Sequence, residues 1–436
     1  MKISTIATVV ATATRLRAAI TPGSLATISQ AADSSNAAAW WSPLDEAGGY
    51  SWLAYLVNPS GGSVSNNNAM IARRDISSGG IVRGCVKTAS GACDLFADNI
   101  GHNQPSIAID GDGYLHVFTS MHHATWNYYR SQDAYSVAEI IDASSELPDQ
   151  SLLFTYPIVK RDAAGDLWLI IRGYNGDGLC RAGYLYHYTT SQKAWARVAI
   201  FAYNRQYSIY PDDMQFSSDG DVHIQWEWAK YPASAGRHEG SYLRYRPSTG
   251  VFKTIDGVAV SVPVTQSTAN LVFQPLATGE SYGDDSAPPP MMQSAKLALY
   301  ENSAGTVLVQ HAFRFQAEVG GTWQIRRSVS HRGNAVWTQE TIFSADDTTA
   351  ALGFTHDGTT ARIYFCKKQG SAWALERSAS STAWSSTELA AVKGQQVQRL
   401  QAILRSDGDD ALYLAAPTNV NTTTGSVYFL TVGGRE

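Results

Sequence analysis

The chain has 436 residues, of which 44% are hydrophobic and 16% charged, with a net charge of −5. That apolar content excludes a disordered chain, and mild acidity without a basic stripe excludes nucleic acid as the expected partner. No run is apolar and long enough to predict membrane insertion. The 22 tyrosines and 12 tryptophans suit strands and also surfaces that stack on sugar rings.

The first 33 residues are read as a leader or tail segment. They open with a Thr-rich, weakly hydrophobic run in which Arg15 and Arg17 follow directly, a poor signal peptide. Residues 34–436 are read as one all-β catalytic domain. Cys85, Cys93, Cys180 and Cys366 are too few for a disulfide scaffold. Cys85 and Cys93 either close a short loop or stay as thiols, and no CxxC pair marks a metal.

Helical periodicity is almost absent. Short alternating or β-branched and aromatic runs recur between Gly, Asp, Asn and Ser turns. A glycine turn leading into a strand returns at Gly49, Gly113, Gly165, Gly220, Gly305, Gly358 and Gly408, at intervals of 64, 52, 55, 85, 53 and 50 residues. Most intervals sit slightly above the roughly 40–50 residues of a four-stranded propeller blade. The spacing therefore predicts a seven-bladed β-propeller, with an insertion around Gly279 to Met292 filling the long interval. A pair of sandwich sheets would also contain such turns, but not at this regularity. Stacked blades bury one another's faces and gather their loops at the end of a central channel, where a site should draw on several blades.

The densest polar cluster falls in blades two and three. His102 precedes the first strand of blade two and His122 ends the second, so a hairpin brings both to one end; Tyr156 and Arg172 hold the same two places in the next blade. That set suits β-elimination at a uronic acid. Arg172, with His122, can neutralise the carboxylate beside the weakly acidic C5–H and stabilise the enolate-like transition state. His102 and Tyr156 then fit as base for that proton and acid for the departing O4, with the assignment between them open. Asn103, Tyr174 and Tyr210 are the candidates for substrate contact, the two tyrosines because they lie in loop-like sequence. Trp126, Trp226 and Trp228 are expected to be blade packing, and His116 and His223 structural residues after their turns.

The run GHNQPSIAIDGDGYLHVFTSMHHATWNYYRS, with Thr155-Tyr156-Pro157 and Arg172 after it, resembles the core of the BNR-type propeller proteins that include ulvan lyases. Further on, YSIYPDD from Tyr207 and VHIQWEW from Val222 are similar to the next blade of that family. The resemblance implies a seven-bladed propeller, extracellular cleavage of an acidic polysaccharide, and His102, His122, Tyr156 and Arg172 in the site. Two positions depart from the pattern: Ile100 stands where an Asp is usual, and Ala229-Lys230 where an Arg is expected, which bears on the substrate.

The competing functions are a sialidase-type hydrolase and a non-catalytic carbohydrate-binding propeller. No Glu beside Tyr156 and no Asp-box series supports the first, and the second has no need of the His/Tyr/Arg set. No cofactor is expected for catalysis. A structural calcium or zinc ion is left open, with Asp212 and Asp213 as a pair that more often is simply solvated. The expected location is extracellular; the leader would also suit a depolymerase carried on a phage particle.

Overall fold

The structure, a computed structural model, describes residues 20–32, 40–59, 66–96, 104–174, 181–230, 238–274, 291–302, 304–318, 320–379, 381–417 and 425–434. Each of the seven glycine turns closes the hairpin between the first two strands of an antiparallel blade. All seven glycines have φ between 75° and 100°, the left-handed region in which a side chain is strained.

The innermost strands, in order, are Leu44–Ala47, Ser106–Ile109, Phe154–Arg161, Tyr207–Phe216, Met291–Glu301, Thr348–His356 and Arg399–Leu404. Each touches the next, and the last touches the first, so the strands ring a central channel. Three further strands extend outward from each. Blade three, for instance, runs Phe154–Arg161, Leu167–Tyr174, Arg181–Thr189 and Ala194–Ala202.

Blade seven is assembled from both ends of the chain. Its inner three strands are Arg399–Leu404, Asp410–Pro417 and Gly425–Gly433, and its outer strand is Ala26–Ala32, paired antiparallel with Gly425–Gly433. Residues 26–32, grouped with the leader from sequence, thus belong to the propeller. Their Thr- and Ser-rich run hides the pattern because only Ile28 and Ala32 are buried against blades seven and one.

Strands read as continuous apolar runs because both faces of each blade are covered. Along Leu167–Tyr174, Leu167, Leu169 and Ile171 pack toward blade two, while Trp168 and Ile170 pack toward blade four. Every pair of neighbouring blades shares such a core, which makes seven in all. Trp126, Trp226 and Trp228 are buried as expected.

Most of the insertion expected at Gly279 to Met292 lies outside the described residues; Met291 and Met292 open blade five. Part of the long interval is instead an excursion after blade four's outer strand, in which Ala259–Val260 and Val272–Gln274 pair back onto that blade. Cys85 and Cys93 form a disulfide across eight residues, and Cys366 is buried. Among the described residues no helix is long and apolar enough to cross a membrane.

Candidate active site

An eighth buried apolar cluster does not lie between blades. Trp41 from the entry to blade one, Tyr156 from blade three, and Tyr210 and Ala229 from blade four meet over the channel, with Trp40 against them. Trp41 meets the Tyr156 ring edge-on at 5.2 Å, Trp40 lies 5.6 Å from it, and the Tyr156 and Tyr210 rings are 5.7 Å apart. This end of the ring is opposite the glycine turns.

The geometry around Tyr156 follows from one irregularity. The register between Phe154–Arg161 and Leu167–Tyr174 breaks between Thr155 and Ile158, a β-bulge, and Tyr156 takes φ +61°. A left-handed tyrosine is costly, more so before Pro157, which disfavours anything but extended backbone there. Such strain, of order 1–3 kcal/mol, persists only where the surroundings impose it and clusters at working sites.

Thr155 organises the other groups. It pairs with Arg172 on one side and with His122 on the other, because His122–Ala124 forms a short extra strand inside blade three's inner strand. Three of the four residues read as catalytic from sequence are therefore gathered about one position. His102 and the candidate contact residue Asn103 lie outside the described residues; Gln104, which follows them, is buried.

Arg172 is 4% exposed. Its guanidinium carbon sits 4.5 Å from the centre of the Tyr156 ring and 4.6 Å from that of Tyr210, held by two aromatic faces. No carboxylate pairs with it among the described residues, and its Nε has no hydrogen-bond partner there. A buried, unpaired guanidinium is expensive unless a ligand supplies the anion.

Tyr174 and Tyr210, expected in loops, are both strand residues. Tyr174 ends Leu167–Tyr174 half-buried, and Tyr210 lies within Tyr207–Phe216, 3% exposed, as the second wall around Arg172. Tyr174 joins His123 and Arg181, two residues not singled out in the sequence. Its hydroxyl is 3.1 Å from His123 Nδ1, Arg181 Nε donates to His123 Nε2 at 3.0 Å, and Arg181 donates a second bond to the Tyr174 hydroxyl at 3.0 Å. The His122 and His123 rings lie 4.9 Å apart. The His-His dipeptide was the only available signal for His123; nothing local marks Trp40 and Trp41, which reach the site from the other side of the ring.

Below the aromatic cluster charged side chains line the channel. Asp213 accepts a bond from Lys160 Nζ at 2.5 Å and one from the Leu297 amide, and Lys296 Nζ donates to the Asp212 carbonyl. Asp212 and Asp213 are thus buried rather than solvated, with lysines beside them rather than an exposed carboxylate pair. Burial pushes the Lys296 ammonium below its ordinary value, opposed by Asp213 and Asp212. The one cluster of metal-ligating type among the described residues is Asp162, Asp166 and His187. Its oxygens are engaged within the protein: Asp162 accepts from the Ala164 and Asp166 amides and from Trp168 Nε1, and Asp166 faces His187 at 3.1 Å.

The solved structure of an ulvan lyase described as a new polysaccharide lyase family, PL25, is similar over 92% of this chain and 95% of its own, with a TM-score of 0.67 and 14% identity. The polysaccharide lyase Uly1 is similar over 90% of each chain, with a TM-score of 0.65 and 15% identity. Likeness at such identity establishes the propeller fold. Among curated proteins, the ulvan lyase PL25 of Pseudoalteromonas sp. (strain PLSV) is 21% identical over 211 residues, a match spanning 41% of this chain and 42% of that protein. The model of the BNR repeat-containing family matches residues 39–331, two thirds of the sequence and all of the described site. The chain belongs to the BNR repeat-containing family.

Proposed function

We propose that the protein is an extracellular polysaccharide lyase that cleaves a uronic-acid-containing chain by β-elimination at the canyon end of the propeller. The observation that carries this reading is Arg172: a buried guanidinium between two tyrosine faces, without an acidic partner among the described residues. It offers a desolvated fork for a carboxylate, and the ring of that uronate would then rest by Tyr156. The similarity to ulvan lyases in sequence and fold supports the same chemistry.

In this scheme a base removes the C5 proton, the C4–O4 bond breaks, a C4–C5 double bond forms, and an acid returns a proton to O4. Arg172 and His122 hold the carboxylate and spread the charge that builds on it in the transition state. Tyr156 and His102 carry the two proton transfers. The bulge holds Tyr156 in one strained conformation, and rigid placement of this kind replaces the entropy cost of orienting a free acid or base. No metal or cofactor is required by this scheme.

The test is to incubate the protein with a panel of uronate-containing polysaccharides and follow the ultraviolet absorbance of the new double bond. Absorbing oligosaccharides are the expected product. Cleavage without that absorbance would assign a hydrolase instead, and tight binding without cleavage would assign a carbohydrate-binding propeller.

A further inference from the structure

We infer that Tyr174 is locked as a hydrogen-bond donor into the canyon and, with Arg181 behind it, forms a subsite for an oxyanion substituent on the substrate chain. The inference rests on the polysaccharide reading above and adds to it which substituent is recognised.

The positions of the protons set the polarity of this cluster. Arg181 has only donors, and its Nε points at His123 Nε2. That nitrogen must therefore present a lone pair. A neutral imidazole then carries its single proton on Nδ1, which lies 3.1 Å from the Tyr174 oxygen and donates to it. Arg181 gives the same oxygen a second donor. With both acceptor positions of the hydroxyl filled, its own proton has to leave the cluster. Tyr174 finds no acceptor for that proton among the described residues, and its side chain is only half-buried.

The result is a hydroxyl of fixed polarity. It can donate and cannot accept, and the Arg181 guanidinium, 5.0 Å from the Tyr174 ring centre, adds positive potential behind it. A neutral sugar hydroxyl, able to play either role, gains little from this arrangement. A sulfate ester or a second carboxylate, which can only accept, gains most. Since His123 adjoins His122, the group read would sit close to the uronate being cleaved.

The experiment uses the full chain carrying Tyr156→Phe, so that binding is measured without cleavage, and titrates it with three oligosaccharides. These are the repeat -[GlcA(1-4)Rha3S]- found bound to a solved ulvan lyase, its desulfated form and its carboxyl-reduced form. Adding Tyr174→Phe is expected to weaken binding of the native oligomer about tenfold, as loss of a bond to a charged group does. The loss should vanish on one modified oligomer: on the desulfated form if sulfate is recognised, on the carboxyl-reduced form if carboxylate is. His123→Phe, which frees the Tyr174 hydroxyl to turn, should reproduce part of the loss with the same dependence on the substituent. An equal loss on all three oligomers, no loss on any, or no binding of any of them overturns the subsite. The lyase reading fails separately, when wild-type protein makes no unsaturated ends from any uronate polymer, and a substituent-dependent loss at Tyr174 survives that failure.

Discussion

His116 and His122 stand six residues apart and live in opposite regions of the molecule, His116 in blade two and His122 on the short strand paired with blade three. His116 belongs to the glycine-turn end. Its Nε2 faces Asp110 at 3.2 Å and its Nδ1 meets the Tyr128 hydroxyl at 2.7 Å, while Asp110 also caps the turn through the Asp112 and Tyr114 amides. Blade four repeats the device with Ser217, His223 and Tyr242. Burial lowers the affinity of both histidines for a proton, and at His223 the pKa falls to about 3. His122 belongs to the canyon end, half-buried beside the bulge that strains Tyr156. At the glycine-turn end histidine is a neutral strut; at the canyon end it lies across Thr155 from Arg172, a cation without an acidic partner among the described residues. The repeat fixes the first role, and only the breaks in the repeat create the second.

Substitutions should separate the two ends. The largest effect is expected from Tyr156→Phe, which should cut production of unsaturated ends by about 10³-fold, within the range of a lost general acid or base, and leave the denaturation midpoint nearly unchanged. His116→Ala should do the reverse. It strands the buried Tyr128 hydroxyl and opens a cavity, at a cost of about 2–4 kcal/mol in urea unfolding, while kcat of the folded enzyme stays as in wild type. Activity lost in His116→Ala without lost stability would erase the distinction between the ends.

A smaller effect is expected in Cys85→Ser/Cys93→Ser. Opening a loop of this length should cost about 2–3 kcal/mol on the chain-entropy scale, read as a lower Tm, with no effect on Arg172 and Tyr156 two blades away.

The mildest test is pH. His116, His223 and His311 bind protons less readily folded than unfolded, so the unfolded chain holds more protons below its ordinary histidine pKa. Stability from these groups is complete above about pH 6.5 and is lost as pH falls toward 3, with a slope of up to about 1.4 kcal/mol per pH unit for each histidine. Thermal melts between those limits should fall steadily, and His223→Gln should flatten the slope.

The propeller was legible in the sequence because every inner hairpin needs a left-handed residue at its turn, and glycine marks each one. Tyr156 and Arg172 fall together because a hairpin joins the ends of its two strands, whereas His122 reaches them through a short extra strand on blade three that the blade-two hairpin does not predict. What could not be read has a common cause in ring closure. Trp40 and Trp41 lie more than a hundred residues before Tyr156 and meet it only because blades one, three and four face one channel. Ala26–Ala32 carries too few buried residues to stand out from the Thr-rich run before it. Tyr156 itself was expected just before its strand, and a tyrosine before proline gives no hint of positive φ within one.

The pairing of Ala26–Ala32 with Gly425–Gly433 also sets the orientation of anything attached to the chain. Thr21 lies opposite Gly433, so the polypeptide enters and leaves blade seven side by side, at the end where the glycine turns are. A carrier joined next to Thr21 or Gly433 would grip the molecule from behind, like a handle, and present the Arg172 canyon outward to a long polymer. Immobilised at those two positions on a bead or a larger particle, the protein should keep full access to a chain too large to diffuse around it.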